Sequence, residues 1–219
     1  MTNPNLTHIY FLLDRSGSME SIRLDTEGGF NAFIREQQDA PGECRVTLAQ
    51  FDDQYEEVYR DRPVDQVPPL HLQPRGMTAL LDSIGRLIGD AGARLSAMPE
   101  DTRPGSVIVG IITDGHENSS RELSHAQVKA MIERQTKEFG WQFLYLGADQ
   151  DAIEVGASIG VPKEHAMTYA RGSVDAMMTA TSANIRGYRT ARAAGRSAAE
   201  AGEAIVFTDA QRAAAAEEE

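Results

Sequence analysis

Apolar positions along the chain follow two alternating patterns. Short apolar runs occur at residues 9–13, 44–51, 107–112 and 141–146, the first of them near-continuous. Runs of that length with little polar alternation predict strands buried on both faces, as in a parallel sheet. Between them, apolar residues recur every three or four positions, which predicts amphipathic helices. Leu80, Ile84, Leu87, Ile88, Ala91 and Leu95 make one such stripe, and Val128, Met131, Ile132 and Phe139 make a second. Val174, Met177, Met178, Thr181, Ile185 and Tyr188 make a third, whose methionines read as core. Strands alternating with helices predict an α/β domain: a doubly wound, mostly parallel central sheet with helices on both faces. Residues 55–60 follow the turn-like Asp52-Asp53-Gln54, and their charges at Glu56, Glu57 and Arg60 suit an antiparallel edge strand.

The breaks in these patterns mark the connections. Gly28-Gly29 interrupts the first helical segment and predicts a helix that starts late or bends there. Four prolines between residues 61 and 75 predict an extended surface connection. One domain over residues 1–199 accounts for the pattern, with a core at about 7–160 and a helix at about 173–194. Residues 200–219 turn Ala- and Glu-rich and read as a tail, partly flexible, frayed from 213 onward; Ile205-Val206-Phe207 could dock on the domain or on a partner.

Three polar loops stand out because each adjoins an apolar strand or a helix start. Asp14-Arg15-Ser16-Gly17-Ser18 follows the first strand, Gly76-Met77-Thr78-Ala79-Leu80 precedes the strongest helix, and Thr113-Asp114-Gly115 follows the central strand. In an open α/β sheet such loops meet at the carboxyl ends of neighbouring strands. Two carboxylates and three hydroxyls form a set of hard oxygen donors suited to Mg²⁺, with Mn²⁺ or Ca²⁺ as alternatives. Ser16, Ser18 and Thr78 would offer neutral hydroxyls, and Asp14 and Asp114 would add charge directly or through water. An ion held mainly by hydroxyls stays electron-poor and favours an incoming carboxylate. The plainer alternative is that Asp14, Ser16 and Ser18 cap the first helix; a cap by Thr78 on its own helix would be compatible with a ligand role.

Together these three motifs resemble the metal-ion-dependent adhesion site of von Willebrand factor A domains, over about residues 7–160. The resemblance implies a Rossmann-like fold and metal ligands at Asp14, Ser16, Ser18, Thr78 and Asp114. It also implies a role in binding a protein partner through an Asp or Glu carboxylate, with no catalysis. Residues 144–150 and 184–189 resemble a cytoplasmic bacterial or phage branch of that family.

The remaining features narrow the partner. A net charge of −12 repels phosphate backbones and argues against a nucleic acid. No apolar run approaches membrane-spanning length and no basic leader precedes the first strand, so a cytoplasmic location is expected. The single cysteine, Cys44, on a strand, reads as a small buried side chain. Oligomeric state leaves no mark. Five arginines between 170 and 199 (171, 186, 189, 192 and 196) face one acid, Asp175, and read as a solvated helix face or a surface for an acidic partner. Asp52 and Asp53 read as turn formers, Asp149 and Asp151 as helix caps, and His116, Glu117 and Asn118 as a solvated loop or a specificity element; no histidine has ligand spacing. The competing functions are a metal-dependent phosphohydrolase or phosphotransferase, and a structural subunit beside an AAA+ ATPase. Against the first, Ser16 stands where a dehalogenase-type enzyme places its second acid, and no Walker or dinucleotide loop is present.

Overall fold

The structure, a computed structural model, describes residues 2–217. Its elements are β1 (Asn3–Asp14), α1 (Arg23–Gln38), β2 (Glu43–Phe51), β3 (Tyr55–Pro63), α2 (Leu80–Ala97), β4 (Pro104–Thr113), α3 (His125–Phe139), β5 (Gln142–Ala148), α4 (Ala152–Ser158), β6 (Ala166–Tyr169), α5 (Val174–Ala193), α6 (Ala198–Gly202) and α7 (Asp209–Ala216). The strands form one sheet in the order β3-β2-β1-β4-β5-β6. Every neighbouring pair is parallel except β2 and β3, so the charged run at 55–60 is the antiparallel edge strand. The strand order reverses between β1 and β4, which opens a crevice at their carboxyl ends.

Strand periodicity sorts the core into two layers. Ile9, Phe11 and Leu13 of β1 face one side, where Phe30 and Phe33 of α1 and Met177, Met178, Ile185 and Tyr188 of α5 cover them. Tyr10 and Leu12 face the other, beneath the Leu80–Leu95 stripe of α2 and Val128 and Ile132 of α3. Both faces of β1 are therefore dry, which explains its lack of polar alternation. Cys44 is buried, and burial pushes its thiol up to about 11, consistent with an inert packing role.

Several local expectations need correction. Helix α1 runs unbroken through Gly28-Gly29; residues Gly17–Ile22 before it form a tighter 3₁₀ turn. Gly29 is instead a contact point, since a Cβ there would lie 2.9 Å from Met178 Cγ of α5. The proline-rich connection begins later than residue 61, because β3 continues to Pro63. It is pinned to α1 by Leu70 N donating to Asn31 Oδ1 and Leu72 N to Glu27 Oε1. Strand β6 is only four residues long and its run is too short to stand out as a strand. The Ala-rich end is ordered through Ala216: Ile205, Phe207 and Ala215 are buried on the domain itself, and Thr208 opens α7 with a capping box. Glu218 and Glu219, the end of the expected fraying segment, lie outside the described residues.

The arginine run is not one solvated face. Arg186 and Arg196 are exposed. Arg192 reaches back to Ser106 Oγ and Gly105 O at the foot of β4. Arg189 is buried, and its Nη1 donates to Gln37 O and Gln37 Oε1 while Nη2 donates to Gly42 O. Its charge is met by carbonyls at the end of α1, where the helix dipole is negative, and in the turn that follows it. Replacing it leaves those carbonyls buried without donors. Arg189→Met should lower the unfolding free energy by about 3 kcal/mol in urea titration, with little change in any binding measured at the opposite end of the sheet.

Candidate metal site

The five predicted side chains come together at the carboxyl ends of β1 and β4. Asp14 closes β1, and its Oδ1 accepts the Ser16 amide at 2.7 Å, which bends the loop back on itself. That bend sets Ser16 Oγ 3.1 Å from Ser18 Oγ, and Ser18 Oγ donates to Asp114 Oδ1 at 2.6 Å. Thr78 arrives from the second loop. A Cβ placed on Gly115 would lie 2.9 Å from Thr78 Oγ1, 3.5 Å from Asp14 Oδ2 and 3.6 Å from Ser16 Oγ. Oxygens from the first and second loops thus border one small space against the third, and the missing side chain of Gly115 keeps it clear.

The capping alternative fails on geometry. Ser16 precedes the 3₁₀ turn and Ile22 precedes α1, yet neither makes a side-chain cap bond. Ala79, not Thr78, occupies the cap position of α2 and also makes none. The start of α2 is capped from the third loop, by Leu81 N donating to Glu117 Oε2 and Asp82 N to Ser120 Oγ. The Ser16 and Ser18 hydroxyls are instead engaged with each other and, through Ser18, with Asp114.

Residues read from the sequence as turn formers or solvent-facing loop hold the loops in register. Asp52 has no exposed surface, and its Oδ2 accepts both Arg15 Nε at 3.0 Å and Arg75 Nε at 2.8 Å. One carboxylate thereby ties the first loop to the second. Burial opposes its charge, but the bonds from Arg75 and the Gln54 amide, with Arg15 beside it, hold its pKa below the ordinary value. Backbone bonds reinforce the tie: Arg75 N donates to Arg15 O, and Gly17 N to Gly76 O. Gly76 sits at φ 70°, with Asp53 Oδ1 where a Cβ would go. Asn118 joins the third loop to the second, since its Oδ1 accepts Thr78 N and its own amide donates to Thr78 O. Thr113, unassigned in the sequence, donates to Asp14 Oδ2 at 2.6 Å. His116 is exposed on the rim. Of the two acids expected as helix caps, Asp151 caps α4 through Glu154 N, whereas Asp149 pairs with Arg171 Nε at 2.7 Å.

The electrostatics explain why such a cluster suits a cation. Asp14 is fully buried, and burial raises its pKa to about 6; bonds from Thr113 and Ser16 oppose the shift, and Asp114 adds to it. A carboxylate held where its charge is poorly solvated gains from a positive ion beside it. Among the described residues, no three His, Cys, Asp or Glu side chains are placed to form a metal cage on their own. The donor set here is instead two carboxylates and three hydroxyls, which fits one hard dication with room for a further oxygen.

No known protein-family profile matches the sequence, and no curated protein matches it. Solved structures do. The chain resembles proximal thread matrix protein 1 from the mussel byssus, with a TM-score of 0.56 at 18% identity over 82% of this chain and 46% of that one. A second structure of that protein, matched with a TM-score of 0.56 at 17% identity over the same shares, is described with a zinc-occupied MIDAS motif. An ArnB paralog, VWA2 from Sulfolobus acidocaldarius, is similar at a TM-score of 0.55 and 16% identity, over 84% of this chain and 46% of that one. A von Willebrand factor type A protein from Catenulispora acidiphila matches at 0.55 and 13%, over 85% and 43%. The chain thus spans less than half the length of these relatives. At such identities the likeness establishes the fold: six strands, mostly parallel, wound as in the von Willebrand factor A proteins.

Proposed function

We propose that this protein is a metal-dependent interaction module: Ser16, Ser18 and Thr78 hold one divalent cation, Mg²⁺ foremost, with Asp14 and Asp114 bound directly or through water. The observation that carries this reading is the convergence of Asp14, Ser16 and Thr78 oxygens on the space beside Gly115. The zinc-occupied motif in the mussel protein of the same fold supports a divalent ion at such a site. When bound, the ion would supply an electrophilic position that takes an Asp or Glu carboxylate from a protein partner.

The chain's own residues do the rest. Where the carboxylates act through water, three neutral hydroxyls leave the positive charge largely uncancelled at the ion, which favours an anionic ligand over water. Asp52, Glu117 and Asn118 hold the loops so that little ordering is left for the moment of binding. Asp14 is engaged by Thr113 and the Ser16 amide, and Asp114 by Ser18 and Arg171, so neither carboxylate is placed as a general base. We read the protein as a binder without catalysis. No helix among the described residues is long and apolar enough to cross a membrane, and the buried single cysteine suits a reducing compartment such as the cytoplasm.

Mg²⁺ at about 100 times its dissociation constant should stabilise the wild type by about 2.7 kcal/mol by mass action. Thermal melts should show that rise in the wild type and none in Asp14→Ala or Thr78→Ala, both of which should remain folded. An unchanged rise in either variant removes that residue from the ligand set.

The rise should also depend on pH. Asp14 has a raised pKa, so its neutral form stabilises the metal-free fold below the unfolded value near 4. That contribution is lost as pH rises through about 6. The ion needs the carboxylate, so its stabilising effect should shrink between pH 7 and pH 5. Partner capture from a lysate should occur in Mg²⁺ and disappear in EDTA; a structural subunit would be captured in both.

A further inference from the structure

A positive charge already touches the proposed site. Arg171 lies in the short 3₁₀ turn Arg171–Ser173 between β6 and α5. Its Nη1 donates to Asp114 Oδ2 at 2.8 Å, to Ser21 Oγ at 2.7 Å and to the Ser18 carbonyl at 3.2 Å. Its Nε donates to Asp149 Oδ2 at 2.7 Å. The two oxygens of Asp114 are therefore divided: Ser18 holds Oδ1 on the inside and Arg171 holds Oδ2 on the outside. The Asp114 side chain has no exposed surface and that of Arg171 is 34% exposed, so the pair is only partly screened by water.

This contact is set up by the fold. Asp149 follows β5 at φ 49°, a left-handed conformation uncommon for a residue other than glycine, and its amide donates to the Tyr169 carbonyl at the end of β6. That places the Asp149 carboxylate beside the turn that carries Arg171. Ala170, the preceding residue, is anchored by its amide to Ala215 O of α7. The guanidinium is thus fixed from behind by the C-terminal helices and steered by Asp149 onto Asp114.

Resting on the metal reading above, we propose that Arg171 is a tethered counter-cation that sets the divalent-ion affinity of this site below what its oxygens alone would give. It acts through Asp114. In the metal-free protein its charge offsets that of Asp114. When a dication shares Asp114, the guanidinium repels it, and the ion is held less tightly. Any acidic group that draws Arg171 off Asp114 strengthens ion binding, and by linkage the ion strengthens the binding of that group by the same factor. A protein without an acidic partner would then keep the site weakly loaded. A simple brace has the opposite sign: because Arg171 also links the first and third loops, losing it would loosen the site and weaken the ion.

The test is calorimetric titration of the full chain with MnCl₂, comparing wild type with Arg171→Met, Arg171→Gln and Arg171→Lys. The two neutral variants should bind Mn²⁺ on the order of tenfold more tightly, while Arg171→Lys, which keeps the charge and loses the fork, should stay near wild type. Melting in EDTA provides the independent readout: the neutral variants should melt below wild type without metal, yet gain more on adding Mn²⁺. Two neutral replacements guard against one that fails to fold. Wild-type binding with equal or weaker binding in both neutral variants would overturn the role of Arg171 and leave the metal site standing. Absence of binding in the wild type and all three variants would remove the metal site, and this inference with it. Binding seen only in the neutral variants would support both.

Discussion

Asp14 and Asp114 stand at the ends of two neighbouring parallel strands, with Ser18 bonded to one and Thr113 to the other. Parallel strands cannot avoid this: their carboxyl ends emerge side by side, and so do whatever side chains follow them. Here those side chains are acids and hydroxyls, placed where water is scarce. Asp14 in particular is buried deeply enough to resist ionisation. The local chemistry of the molecule follows from the need to balance that charge. Arg171 meets the charge of Asp114 from the rim, and a dication would meet both carboxylates from within.

Holding the oxygens close has its own cost, because three loops must be fixed against one another. The molecule does this with a few polar groups that contact no ligand. Asp52 binds Arg15 and Arg75 with one oxygen, and Glu117 and Asn118 join the third loop to α2 and to Thr78. Removing any one of them would be expected to loosen the site without emptying the core. Beneath these loops, two dry layers on either side of β1 and β4 make a rigid platform.

Much of this was legible in the sequence, for physical reasons. A strand buried on both faces leaves a largely apolar run, so β1, β4 and β5 could be read directly, and β2 from the apolar positions around its Arg45, Thr47 and Gln50. The candidate ligands were legible because they lie within a few residues of those strand ends. What stayed hidden depends on contacts across long sequence separations. Nothing near Arg171 tells that it reaches Asp114, 57 residues earlier. Arg189 looked like a surface charge because most of its partners, backbone carbonyls at the end of α1 and in the turn after it, carry no side-chain signature. Gly28-Gly29 suggested a helix break because propensity penalises glycine, but close packing against Met178 outweighs that penalty. Asp52 looked like a turn former, and in part it is one, through the Gln54 amide; its second role needed Arg75 to arrive from the far side of β3. Strand β6 is a short addition to an edge, with too few residues to set a pattern.

The central claim is that one dication sits among the oxygens of Ser16, Ser18, Thr78, Asp14 and Asp114. Crystals grown with MnCl₂, measured at a wavelength where manganese scatters anomalously, test it most directly. The account predicts a single strong peak within about 2 Å of the Ser16 and Ser18 hydroxyl oxygens, beside Gly115, with the three loops arranged as described. A map with the loops in that arrangement and no peak between them, or with manganese bound only elsewhere on the chain, would contradict it.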